Sequence, residues 1–153
     1  MNIYALFKFL HVVSVIVLVG GVFTLNVLSG RLARERDPAA VAALSRQATF
    51  YGRSVLGPAT GITLIAGVAT AAIGRISFAT LWIAWGLLAI LLSGILGGTA
   101  IRRAGEQLSE LAATAEAGGP RVVALRRRAL MLNWINLLLL LSAVGAMVFK
   151  PTL

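Results

Sequence analysis

An all-α polytopic membrane protein, with four helices crossing in up-down-up-down order, is the fold class the sequence predicts. Three observations carry it. The chain has 153 residues, 59% of them hydrophobic and only 12% charged, too few charges to coat a soluble domain of this size. Residues 3–28, 55–73, 78–100 and 130–149 are four mainly apolar stretches, each about the 20 residues that a helix needs to cross the hydrocarbon layer. The third observation is where arginine falls. Arg31, Arg34, Arg36, Arg46 and Arg53 stand between the first two stretches, and Arg102, Arg103, Arg121, Arg126, Arg127 and Arg128 between the last two. The other side carries only Lys8, Arg75 and Lys150. By the positive-inside rule the loops 29–54 and 101–129 are cytoplasmic and both termini extracytoplasmic, in the plasma (inner) membrane, with residues 1–153 forming a single membrane domain.

The first stretch is too long for a signal peptide and lacks a positive n-region, so it is expected to stay as a helix. After the charged turn 31–37, Asp37-Pro38 signals a helix start, with Asp as N-cap and Pro at the first helical position. That helix should run through Tyr51 into the second span, bent near Gly57-Pro58 where Pro removes a backbone hydrogen bond. Residues 74–77 form a tight outer turn. The third span should continue past Ala100 as a cytoplasmic helix bearing Glu106 and Glu110 and ending at Gly118-Gly119-Pro120. Its apolar stripe is Leu108, Leu111, Ala112 and Ala115, on what reads as a solvated connector. The last helix starts near Arg121. Up-down-up-down packing of four spans is the natural bundle.

Helical spacing assigns the inward faces. On the first helix Tyr4, Lys8, His11, Ser14, Leu18 and Gly21 share one side. On the second it is Gly57, Gly61, Leu64, Val68 and Ala71. The third groups Trp82, Trp85, Ala89, Ser93 and Gly97, and the fourth Asn133, Asn136, Leu140, Ala143 and Met147. Buried amides cost free energy in hydrocarbon unless paired, so the asparagines should face the bundle.

The net charge is +9, which suits the anionic headgroups of the bilayer as a partner. No aromatic platform is interleaved with the arginines, so nucleic acid is not expected. With no cysteine in the chain, disulfides, thiolate metal sites and cysteine nucleophiles are excluded. Glu35, Asp37, Glu106, Glu110 and Glu116 are the five acids, all in the cytoplasmic loops, so no His–carboxylate pair forms within the bilayer and any reaction would be a cofactor's.

His11 is the one histidine, and an ionisable group inside a span is a functional hypothesis by default. Eight residues past Ile3, it lies about 12 Å below the outer boundary. Thr70, Trp82, Trp85 and Met147 are expected in the same outer half, with Lys8 and Arg75 above. A planar apolar cofactor with anionic tails would meet an imidazole below and cations above. Haem b matches, with His11 as the iron ligand, propionates toward Lys8 and Arg75, walls from Trp82 and Trp85, and Met147 as a second ligand candidate. The same residues also have structural readings. His11 can hydrogen-bond a neighbouring helix, Lys8 can snorkel, the tryptophans can be interfacial belt residues, and Met147 can be plain core.

Lys8-Phe9-Leu10-His11-Val12-Val13, followed by Val19-Gly20-Gly21, resembles the first helix of a bacterial family of small predicted integral membrane proteins of unknown function. It is similar, more distantly, to HemJ-type protoporphyrinogen oxidases and CopD-like copper-resistance proteins. Arg53-Ser54 and Gly67 extend the likeness into the second span. The resemblance implies a haem-binding role for His11. Here there is no second histidine and no mid-span lysine, which separates the chain from the HemJ-type catalytic pattern, and one His with Met147 makes a poor copper site.

Three functions follow as expectations. The first is a haem-b-binding and redox-active membrane protein. The second is a non-catalytic accessory or assembly subunit, or homo-oligomer, that docks through glycine-rich faces. The third, a small transporter or channel, is weakest because no span carries an acid or a central charge.

Overall fold

The computed structural model describes residues 2–112 and 119–151. It contains α1 (Ile3–Leu32), α2 (Pro38–Tyr51), α3 (Gly57–Ile73), α4 (Leu81–Leu96), α5 (Arg102–Ala112) and α6 (Pro120–Phe149). Two π-turns, Gly52–Leu56 and Gly97–Ile101, join α2 to α3 and α4 to α5 without a break. Four continuous helices result, each long and apolar enough to cross a membrane: Ile3–Leu32, Pro38–Ile73, Leu81–Leu111 and Pro120–Phe149.

The helix boundaries follow from local chemistry. The side chain of Asn2 accepts the Tyr4 N–H at the start of α1. Asp37 caps α2, accepting from Ala39 N at 3.1 Å and Ala40 N at 3.3 Å, with Pro38 at the first helical position. Pro58 has no N–H and its ring crowds the carbonyl one turn back. The π-turn just before it answers this constraint, with the Gly57 N–H reaching five residues back to Gly52 O. Arg75 takes φ 53° in the turn after α3, and Lys150 ends α6 at φ 45° ahead of Pro151. The predicted helix end at Gly118-Gly119-Pro120 and the positions Ala115 and Glu116 fall at least partly outside the described residues, but Gly119 and Pro120 do start α6.

The spans form a ring in which α1 packs on α3 and α6, and α4 on α6; α3 and α4 meet least closely. Leu18, Val22, Leu25, Leu56, Ala59, Ile90, Leu137 and Leu140 fill the centre. Large apolar side chains point outward, among them Phe9, Ile16, Ile65, Ile95 and Leu138, an inverted surface that only lipid or another membrane protein would cover. The helix Pro38–Ile73 has 36 residues and so is about 54 Å long, well beyond the ~30 Å hydrocarbon thickness. Its surplus lies at the arginine-rich end. There α2, α5, the end of α1 and the start of α6 enclose a second small core of Leu32, Val41, Leu108 and Val122.

The asparagine face of α6 is as predicted: Asn133, Asn136, Leu140 and Ala143 are buried. The second span is a correction. Ala71 is buried and Leu64 packs partly buried against the core as expected, but the rest of the inward side is Leu56, Ala59, Thr63 and Ala66, whereas Gly57 and Val68 are exposed. Ala59, Thr63 and Ala66 lie roughly half a turn around the helix from Gly57, Gly61 and Val68. The cause is the docking of His11 against Thr63 and Gly67, described below. On α4 the buried residues are Ile83, Gly86, Ala89, Ile90 and Ser93, so Trp85 turns outward instead of lining the interior.

The arginine-end core should melt separately from the spans. Leu108→Ala, at a side chain 1% exposed, is expected to cost about 2–4 kcal/mol. Limited proteolysis should then cut α2 and α5 early while the spans stay protected; unchanged protection of α2 and α5 would contradict this packing.

Candidate functional site

His11 docks sideways onto α3. Its Nδ1 lies 2.9 Å from Thr63 O; a carbonyl only accepts, so Nδ1 carries the proton and Nε2 the lone pair. Thr63 Oγ1 donates to Ser14 Oγ at 3.0 Å, and Ser14 Oγ donates to His11 O at 2.9 Å. Three side chains thus link two helices in a closed circuit. Gly67 makes room for it. A Cβ there would stand 2.9 Å from His11 Cε1 and 3.0 Å from Nδ1. The antiparallel register also runs through Tyr4 beside Gly74 and Gly21 beside Leu56. His11 is therefore level with Thr63 and Gly67, up to two turns deeper than the expected neighbour Thr70.

The other predicted site residues gather elsewhere. Met147 Cε approaches Gly86 on α4. Trp85 Nε1 donates to Ser142 Oγ at 3.1 Å on α6, and Trp82 has Lys150 Nζ over its ring at 5.7 Å. Lys8 and Arg75 are exposed. The structure thus brings Trp82, Trp85 and Met147 to the α4–α6 pair and His11 to the α1–α3 pair. Among the described residues, no three His, Cys, Asp or Glu side chains come together to hold a metal ion.

A larger feature lies toward the arginine-rich end, where sequence reading placed no site. A cavity of about 360 Å³ opens among α1, the two π-turns, α5 and α6, within the range of small-molecule pockets. Its apolar wall includes Leu18, Val22, Leu25 and Leu56, and glycines 52, 57, 94, 97, 98 and 105 keep the opposite wall low. A Cβ on Gly52, Gly97 or Gly98 would meet nothing within 4 Å. π-turns often mark functional positions because one added residue breaks the regular packing surface. Here each begins at a glycine and both border the same space.

Polar groups line one part of the cavity. Asn133 and Asn136 on α6 and Ser45 on α2 are 4%, 5% and 1% exposed. Asn133 Nδ2 donates to Ser29 Oγ at 2.9 Å. Yet Asn133 Oδ1, Asn136 Oδ1 and Ser45 Oγ find no hydrogen-bond partner among the described residues. Turning an amide over would merely exchange which end is left. Arg53 and Arg102 are the charged residues of the lining. Arg102 makes a loose pair with Glu106 at 3.7 Å, both about half exposed. Outside the spans, the Asp37 and then the Arg36 backbone N–H groups hold the Glu35 carboxyl below its ordinary pKa, while Arg126 Nη1 donates to Glu35 O at 2.7 Å.

The legible part of the cavity was Asn133 and Asn136, assigned inward but as helix staples. Gly67, noted in the sequence only within the family likeness, was not assigned to the inward face; its place one turn beyond Thr63 was the signal that could have found it. The His11 circuit makes a measurable prediction. Ser14→Ala and Thr63→Val should each destabilise the protein by roughly 0.5–1.5 kcal/mol, and the double variant should cost less than their sum because they share one bond. Strict additivity in a thermal-melt cycle would mean that the two hydroxyls do not pair.

The chain matches no curated protein and no solved structure. It does match, over residues 5–151, a family model described as a predicted integral membrane protein (DUF2269). Nearly the whole chain, including all four spans, His11 and the cavity lining, falls within that match, and the protein is a member of this family of integral membrane proteins.

Proposed function

We propose that this protein is a membrane-embedded binding protein whose ligand is a small amphipathic molecule held in the cavity at the arginine-rich end. One observation carries the reading: three buried polar atoms, Asn133 Oδ1, Asn136 Oδ1 and Ser45 Oγ, find no hydrogen-bond partner among the described residues, and their residues border a space of about 360 Å³. Leaving a buried acceptor unmet costs about 1–3 kcal/mol. A ligand with hydroxyl or amide donors would recover that energy, and its apolar body would lie along Leu18, Val22 and Leu56. The arginine distribution turns this end to the cytoplasm. The role fits a carrier or an accessory subunit better than acid–base catalysis, because the charged residues that line the space among those described are the arginines Arg53 and Arg102.

The test is to fill the space. Gly97→Leu places a side chain where a Cβ meets no neighbour. With the protein held in amphipol, short-chain phospholipid adducts seen by native mass spectrometry should weaken about tenfold, the equivalent of 1.4 kcal/mol. Equal adduct binding by wild type and Gly97→Leu, with matching melting curves, would discard the cavity as the site.

A second reading keeps haem b on His11 and draws on the likeness of the first helix to haem-associated families. The observation that favours it is the tautomer: with Nδ1–H committed to Thr63 O, Nε2 has the lone pair that an iron would use. Met147, Trp82 and Trp85 belong to the other helix pair, so His11 would be the one ligand from the expected set, with Lys8 and Arg75 nearer the termini. Purified protein supplemented with haem should then show a Soret band that is lost in His11→Ala. Colourless protein would remove this reading and leave His11 as a helix fastener.

A further inference from the structure

We infer, resting on the cavity reading above, that the ligand is a membrane lipid with an anionic phosphodiester headgroup carrying hydroxyl donors, clamped between Arg53 and Arg102. The chemistry of the lining separates into three parts. Its charged members are both arginines, whose planar forks match phosphate oxygens. Arg53 has no carboxylate within ion-pair distance among the described residues, and the loose, half-exposed pair of Arg102 with Glu106 holds it weakly. The same lining holds the Asn133 and Asn136 amides and the Ser45 hydroxyl, with Asn133 Oδ1, Asn136 Oδ1 and Ser45 Oγ unpartnered among the described residues; whichever way such groups are turned, a hydroxyl, which both donates and accepts, can pair with them. The remaining wall is apolar. A phosphate for the arginines, hydroxyls for the amides and Ser45, and a hydrocarbon body for the apolar wall describe a glycerol-type phospholipid head with the start of its chain.

The route of access points to the bilayer as the source. Arg53 lies in the first π-turn and Arg102 begins α5, so both stand where α3 and α4, the neighbouring spans that meet least closely, give way to the close-packed α2 and α5. Near the cavity the two helices touch through small groups, with a Gly94 Cβ position 3.5 Å from Thr60 Cγ2. A lipid can therefore enter sideways between them. A soluble anion would have to approach past the second core at the same end.

Three probes and five variants decide this in amphipol. Short-chain phosphatidylglycerol should bind about tenfold more tightly than short-chain phosphatidylcholine, whose headgroup has the same phosphate but no hydroxyl. Arg53→Gln and Arg102→Gln should each weaken phosphatidylglycerol by about tenfold, Arg53→Lys by less, and Arg34→Gln, an exposed arginine outside the lining, not at all. Inorganic phosphate should fail to compete at concentrations that saturate the lipid. Equal binding of the two lipids, blocked by Gly97→Leu but indifferent to Arg53→Gln and Arg102→Gln, would overturn the anionic headgroup and leave the cavity reading intact. Effective competition by inorganic phosphate would overturn the lipid as occupant. Binding indifferent to Gly97→Leu would overturn both readings.

Discussion

The first helix holds the bundle together because it carries the polar side chains that bond to both of its neighbours. Lipid is as apolar as leucine, so spans gain little by hiding apolar surface from each other, and hydrogen bonds and close backbone approach must select the partner. Near its start, α1 offers His11 and Ser14 to α3. Near its end, Asn26 Nδ2 donates to Asn133 O at 3.1 Å while Ser29 receives Asn133 Nδ2 from α6. Each such bond is worth only about 0.6 kcal/mol on average in membranes. Their value lies in register: His11 can meet Thr63 O only where Gly67 lets the ring approach, and that meeting rotates α3 to its observed face.

The two polar levels of α1 differ in a way that bears on function. At the His11 level each hydroxyl and the Nδ1–H have a partner, and the circuit closes on itself. At the Asn26–Asn133 level the Asn26 and Asn133 amide N–H groups are used while oxygens are left over: Asn26 Oδ1, Asn133 Oδ1 and Asn136 Oδ1 lack partners among the described residues. Helix stapling alone explains the first level. It does not explain the second, since a staple gains nothing from an idle buried acceptor, and two of the three residues, Asn133 and Asn136, border the open space. This imbalance moves the functional question from the lone histidine to the asparagines.

Much of the architecture was legible because it depends on local rules. Span length, the Asp37-Pro38 helix start, the run of the second helix from outside the membrane into it, and the inward asparagines were all readable from residue type and spacing. The inward face of α3 was not. Glycines at 57 and 61 suggested a close-packing seam, but small residues permit approach without requiring it, and Ala59, Ala66 and Gly67 offered an equally small face beside a polar Thr63. The cavity was hidden for a related reason. A π-turn shifts every later side chain around the helix, so a face projected at a constant angle from Arg46 through Leu64, or from Ser93 through Leu108, crosses the shift and loses its meaning. The predicted grouping of Trp82, Trp85, Met147 and His11 could not supply the azimuth of each helix, which long-range packing decides.

The position of the cavity follows from the two forces that assemble the chain. At the arginine-rich end, beyond the reach of the acyl chains, water restores the hydrophobic effect, and Leu32, Val41, Leu108 and Val122 pull α1, α2, α5 and α6 together. Toward the termini, the small-residue approach at Gly67 and Gly86 and the His11 circuit bring the spans close. Between these zones the helices must pass from one packing arrangement to the other, and two of them do so through π-turns. The glycines there supply no side chains to fill the gap that the transition opens. A vacancy at this level, bordered by interfacial arginines and buried amides, is therefore a consequence of joining a lipid-solvated bundle to a water-solvated core in one set of continuous helices. Fixing the ligand's headgroup at that junction would place it at the depth where a leaflet's own phosphates lie.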